Sequence, residues 1–205
     1  MDRRIFIAAL CAAPLVSFGE VANAQNAVVD AVNAYLTGLQ SATARFTQES
    51  SDGSVVNGTF YLQKPGKMRF EYDPPSPALI IADGETLAIY DRKSTRGPQR
   101  YSQSSTPMSL LSRNDIDVTQ SRFVRLIEVL GGQVHVTMYD PEKPDNGTMR
   151  MVFDQNPMAL RSWVIVESNG LESVVNLGPL TTGISLDRRL FDIVHNNQLQ
   201  RNGEL

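Results

Sequence analysis

The side chains able to do covalent, metal or proton-transfer chemistry are few in this chain of 205 residues: two histidines, His135 and His195, and one cysteine, Cys11. His135 falls in an alternating, strand-like stretch and His195 near the chain end. Neither has the partner an HExxH metal site requires. The sequence contains no Gly-x-Ser-x-Gly elbow, no phosphate-binding Gly-rich loop ending in Lys-Ser/Thr and no Gly-x-Gly-x-x-Gly. Asp52-Gly53 and Asp83-Gly84 are hairpin-turn dipeptides, not paired carboxylates. Asn57-Gly58-Thr59 and Asn146-Gly147-Thr148 have the form of glycosylation acceptors, but turn chemistry accounts for both. No catalytic group, no metal site and no cofactor is therefore expected.

The chemistry that remains is apolar binding. Alternation puts Val134, Val136 and Met138 on one face of a strand, and Met149, Met151 and Phe153 on one face of another. Leu160, Val164 and Val166 form a third row, and Leu79, Ile81, Leu87 and Ile89 continue it. Six methionines follow residue 24: Met68, Met108, Met138, Met149, Met151 and Met158. Methionine is flexible and polarizable, so it suits a cavity whose contents vary in shape. On the residues alone, ordinary core packing explains these rows better than a cavity does.

The elements that must position them are short and regular. Val28, Val29, Val32, Tyr35, Leu36 and Leu39 recur at helical spacing, which predicts an amphipathic helix over Asn26 to Leu39 with Asn26 as N-cap. Strands are predicted at 43–48, 55–63, 67–72, 78–82 and 86–91, then at 123–130, 133–139, 148–154, 160–167 and 171–177. Turn signals such as Pro65-Gly66, Gly131-Gly132 and Asn169-Gly170 separate them. Thr106-Pro107 should start a short helix that carries Met108, Leu110 and Leu111. Residues 201–205 read as a disordered tail. This rhythm predicts one large antiparallel sheet, curled into a barrel or half-barrel.

The N-terminus reads as an export signal. Arg3 and Arg4 precede an apolar run from Ile5 to Phe18, and Ala22-Asn23-Ala24 is a small-residue cleavage site. Residues 1–24 would be removed, leaving a single domain over 25–205. The route is Sec or, given the paired arginines, twin-arginine export. Cys11 lies inside the signal behind Leu10, so it is not a lipidation site, and the mature chain would lack cysteine. The net charge is -3, and losing Asp2, Arg3, Arg4 and Glu20 leaves it unchanged. Scattered, weakly acidic charge gives no footprint for nucleic acid and no basic patch for anionic lipid.

Three segments together resemble the outer-membrane lipoprotein carrier (LolA) family: Ala44 to Gln48; Gly58 to Tyr72, continuing through Pro75 and Ile80 to Tyr90; and Thr106 to Asn114. Their order and spacing agree over roughly residues 28–192. The resemblance implies a mainly β fold with a few short α-helices, its curled antiparallel sheet forming a half-open β-barrel closed by a helical lid. It implies an apolar cavity for acyl chains, with Lys64, Met68, Phe70, Leu79, Ile81, Met108, Leu110, Leu111, Met138, Met151 and Trp163 in contact with chains or lid. The family's basic residue before the turn proline holds lid backbone. It is typically Arg, whereas here it is Lys64, and an aromatic usually lies near Met68. Implied partners are lipid-modified proteins as cargo, an inner-membrane ABC-type release complex and an outer-membrane acceptor, with the carrier itself a monomer in the periplasm. Two alternatives stay open: a carrier of another amphiphile such as a glycolipid, and an exported hydrolase.

Overall fold

A computed structural model describes residues 18–94 and 96–205. Arg3, Arg4 and Cys11 lie outside the described residues. Helix α1 spans Phe18–Gly38, so Asn26 is an interior helical residue and not the N-cap that its polar side chain suggested. Twelve strands follow among the described residues. They are β1 (Ser41–Ser50), β2 (Val55–Gln63), β3 (Lys67–Tyr72), β4 (Ala78–Asp83), β5 (Thr86–Asp91), β6 (Gln99–Ser102), β7 (Val124–Leu130), β8 (Gln133–Tyr139), β9 (Thr148–Gln155), β10 (Met158–Val166), β11 (Glu172–Leu177) and β12 (Thr181–Thr182). Helix α2 (Ile193–Asn202) ends the fold.

The strands form one antiparallel sheet in the order β6-β5-β4-β3-β2-β1-β11-β10-β9-β8-β7, with β12 paired to β1. No pairing joins β6 to β7 among the described residues, so the sheet is open. It is also curled. Four strand spacings separate β3 from β10, about 19 Å across a flat sheet. Yet the ring centroids of Phe70 and Trp163, one on each strand, are 6.2 Å apart. Only a sheet bent around its inner face brings them together.

That inner face carries the main core. Phe46, Phe60, Leu62, Met68, Phe70, Tyr72, Val136, Met138, Met149, Met151, Phe153, Leu160, Trp163 and Val175 are all buried in it. Gly58 makes room for the Phe46 ring opposite it on β1: a Cβ there would fall 2.6 Å from that ring and 2.4 Å from the Glu71 carbonyl oxygen. α1 lays Val32 and Leu36 across this face, joined by Leu39 just past the helix end, with Tyr35 edge-on to Phe153 at 5.7 Å.

Leu79 and Ile81 face the other way. The tight turn at Asp83-Gly84, where Asp83 Oδ1 accepts from the Glu85 and Thr86 N–H groups, pairs Ala82 with Leu87. Leu79 then opposes Tyr90 and Ile81 opposes Ala88, and these four pack with Ile193 in a second cluster on the outer face. Simple alternation groups Leu79 and Ile81 with Leu87 and Ile89; the pairing register places the two rows on opposite faces. A similar slip concerns β10. A bulge between Leu160 and Ser162 shifts the parity, so Trp163 joins Leu160 on the inner face in place of Val164.

Of the expected disordered tail, residues 201–205, Arg201 and Asn202 instead belong to the last turn of α2, and the rest closes the helix. Asp192 caps α2 by accepting from the His195 N–H at 2.9 Å. Gly203, at φ +72°, ends it with Gly203 N–H to Gln200 and Glu204 N–H to Leu199 carbonyl bonds, and Leu205 packs on the outer cluster.

Candidate functional site

Residues 103–112 form a strap across the inner face. It contains two 3-10 turns, Gln103–Ser105 and Pro107–Leu110, the second where the sequence predicts a short helix starting at Thr106-Pro107. Thr106 does not cap by its side chain; its hydroxyl donates back to the Gln103 carbonyl at 3.0 Å. The strap's two feet are fixed at one place. Gln103 is buried, and its Nε2 donates to the Gly66 carbonyl at 2.7 Å and to Ser112 Oγ at 3.2 Å. Its Oε1 accepts from the Gly84 N–H at 3.0 Å. Gly66 N–H donates to the Ser112 carbonyl at 2.9 Å. Ten residues with joined ends make a compact loop of the Ω type. Beside the Gln103 foot, Ser104 takes two exposed bonds, from Lys143 Nζ to its Oγ at 2.8 Å and from Asn146 Nδ2 to its carbonyl at 3.0 Å, while residues 106–111 hydrogen-bond only within the strap among the described residues.

Under the strap lies a cavity of about 380 Å³. Phe70, Tyr72, Ile80, Leu87, Pro107, Met108, Ile165 and Val175 give it an apolar lining. Gln48, Ser105, Thr106, Asp145, Asn146, Glu167, Ser168 and Ser173 add polar groups. Tyr72 donates to Gln48 Oε1 at 2.6 Å, and burial pushes its phenol up to about 12, so it stays a neutral donor.

Among the residues singled out from sequence, Phe70 and Met108 line this cavity. Met68, Leu110, Leu111, Met138, Met151 and Trp163 are buried in the same inner core without lining it. Leu79 and Ile81 belong to the outer face. Lys64 is not on the strap: its Nζ donates to the Leu36 carbonyl, near the C-terminal end of α1, at 2.9 Å. It thus ties down the helix that covers the inner face, while Gln103 ties down the strap. Burial lowers the Lys64 ammonium to about 8. Sequence reasoning missed Ile80, Ile165 and Val175 of the lining and Gln103. The register set by the Asp83-Gly84 turn would have found Ile80. A lone glutamine before a Thr-Pro turn gives no signal for Gln103.

His135 sits in β8 opposite Glu128 and Val152, and His195 lies in the first turn of α2. Among the described residues, no group of three or more His, Cys, Asp or Glu side chains is placed to hold a metal ion.

These features define a class: the open, single-sheet half-barrel whose apolar inner face is covered by a helix and a strap. Within it, residues 37–194 match the family of the outer membrane lipoprotein carrier protein LolA, and the chain belongs to that family. An outer-membrane lipoprotein carrier protein of Cupriavidus taiwanensis is 36% identical over 129 residues, 57% of this chain and 60% of the relative. One from Chromobacterium violaceum is 32% identical over 154 residues, 70% of this chain and 73% of the relative. The chain thus spans 60% of the length of the Cupriavidus protein. The fold matches a putative outer membrane lipoprotein-sorting protein domain from Vibrio parahaemolyticus. That match has a TM-score of 0.50 and 10% identity, over 86% of this chain and 99% of that one.

Proposed function

We propose that this protein carries lipid-modified proteins through the periplasm, holding their acyl chains on the inner face of the half-barrel. The observation that carries this reading is the strap itself: Met108 and Pro107 form one wall of an apolar-lined cavity, and residues 106–111 hydrogen-bond only within the strap among the described residues.

Taking acyl chains out of a membrane is a large task. Each CH₂ withdrawn from water is worth about 0.8 kcal/mol, so two or three long chains amount to on the order of 30 kcal/mol. A carrier must match most of that and exceed it by little, or release stops. Apolar side chains that fill the empty site and return on release meet both needs. Met108, Leu110 and Leu111 on the strap, with Val32 and Leu36 on α1 and Leu39 just after it, are the side chains to be displaced. Loading then requires an energy-using inner-membrane complex of ABC type, and delivery an outer-membrane acceptor. The carrier acts by binding and has no catalytic step. In this reading the signal is removed after Ala24 and the single domain 25–205 works as a monomer.

Native mass spectrometry of the protein isolated from its own periplasm tests the proposal. A bound acylated protein or peptide is the expected result. A glycolipid or other lipid as the sole bound mass would favour the second reading, a carrier of another amphiphile. The specific support for that reading is the cavity's size, near the low end of the roughly 300–1,000 Å³ usual for small-molecule sites.

A further inference from the structure

Trp163 is the chain's sole tryptophan and is completely buried. Its indole Nε1 lies in the interior with no hydrogen-bond partner among the described residues. Buried donors in native proteins are nearly always paired, so an orphan calls for a reason.

Its position suggests one. The β10 bulge turns Trp163 onto the inner face, with ring centroids 5.3 Å from Phe60 and 6.2 Å from Phe70. Phe70 lines the cavity. So do Val175, its cross-strand partner on β11, and Ile165, two residues along β10. The indole is therefore one residue behind the cavity wall in three directions. A cavity of about 380 Å³ must grow to take more than a small ligand, and growth along the inner face leads to Trp163.

A hydrocarbon chain offers an N–H donor nothing. The carbonyl that joins an acyl chain to its headgroup offers a strong acceptor. Resting on the carrier reading above, we propose that Trp163 is a specificity-determining residue of the ligand site. Its Nε1–H donates to the ester or amide carbonyl of a bound acyl chain, so the protein selects acyl chains over plain alkyl chains. An alkyl ligand of the same length fills the same volume and leaves the donor unpaired, and sites with an unpaired buried polar group discriminate strongly.

The test uses the full mature chain and two ligands: a diacylglyceryl-cysteine peptide, and its dialkyl ether analogue with identical chain lengths. Each competes with a fluorescent acyl probe. The parent should bind the diacyl form about tenfold more tightly, the scale set by one buried donor left unpaired. Trp163→Phe keeps an aromatic ring and loses the N–H. Its packing loss weakens both ligands alike, so their ratio should fall to about one. The emission of the single tryptophan in the parent should shift with the diacyl ligand and not with the ether. These two parent measurements decide the matter even if the variant does not fold. Equal affinity of the parent for both ligands, or a preference that survives in Trp163→Phe, overturns the role of Trp163 and leaves the carrier reading standing. A parent that binds neither ligand overturns both.

Discussion

Both faces of the curled sheet are covered, but by different means. On the inner face, α1 and the strap present mostly apolar side chains to an apolar surface. On the outer face, α2 and the turn before it are fastened by directional polar contacts. Arg69, which is buried, donates to the Leu190 carbonyl at 3.0 Å and Asn196 Oδ1 at 3.1 Å, and pairs with Glu71 at 3.2 Å. Tyr90 donates to the Ile193 carbonyl at 3.1 Å, and Gln200 Nε2 reaches the Asp91 and Ser94 carbonyls at 3.0 and 2.8 Å. An apolar cover can be exchanged for an apolar ligand at small net cost, because the surface it leaves is covered again. A cover fixed by buried hydrogen bonds cannot, because each broken bond strands a polar group. The difference teaches which cover moves: α2 is permanent, while α1 and the strap between its pinned feet are replaceable.

The strongest way to break this comparison is to remove the outer fastening. Arg69→Met strands Asn196 and the Leu190 carbonyl, and should cost about 2–3 kcal/mol of stability, read by urea denaturation. Affinity for an acyl probe per folded molecule should stay the same. A variant as stable as the parent, or one with altered probe affinity, would show that the two covers are not independent.

Gln103→Leu attacks the buried polar fixture at the strap's feet. It leaves the Gly66 carbonyl and the Gly84 N–H without the side-chain partner they share, so about 1–2 kcal/mol should be lost locally. Hydrogen exchange at residues 104–111 should speed up about tenfold. Acyl probe should bind more tightly, because a loosened strap competes less for the cavity. Unchanged exchange there would mean that packing alone holds the strap.

Lys64 sharpens the comparison through pH. Its folded value of about 8 lies below the usual 10.5, so the unfolded chain binds more protons between those two values. Stability therefore rises as pH climbs from about 8 to 10.5 and is flat in this respect below 8. Lys64→Met should lack that increment, and the comparison of urea midpoints for the two proteins across pH 7 to 10.5 reads it directly. A parent and variant that run parallel would place the ammonium in water. The smallest effect is expected from Lys143→Ala, which removes only exposed bonds to Ser104. Stability should change by less than about 0.5 kcal/mol, while stopped-flow probe entry quickens a few-fold.

Most of this architecture was legible in the sequence. The strand spans 55–63, 67–72, 86–91 and 133–139 match β2, β3, β5 and β8 residue for residue, because each is an alternating run closed by strong turn residues. The short β6 and β12 lack alternation and gave no signal. α2 was missed because its helical pattern is weak, and its Asp192 and Gly203 caps were the only clues. The site was less legible. Alternation tells which residues share a face of one strand, whereas facing across strands depends on register. One tight turn at Asp83-Gly84 sent Leu79 and Ile81 outward and Ile80 inward. One bulge brought Trp163 inward. Pinning of the strap by Gln103 spans contacts up to 37 positions apart, which no local pattern encodes.

The central claim is that an acyl ligand replaces the inner cover and leaves the outer one in place. Hydrogen exchange measured residue by residue, with and without a bound acylated peptide, tests it most directly. Amides of the strap between its feet, residues 104–111, and of the C-terminal half of α1 should lose protection on binding, while those of α2 stay as they were. Loss of protection in α2 with an unchanged strap would contradict the account.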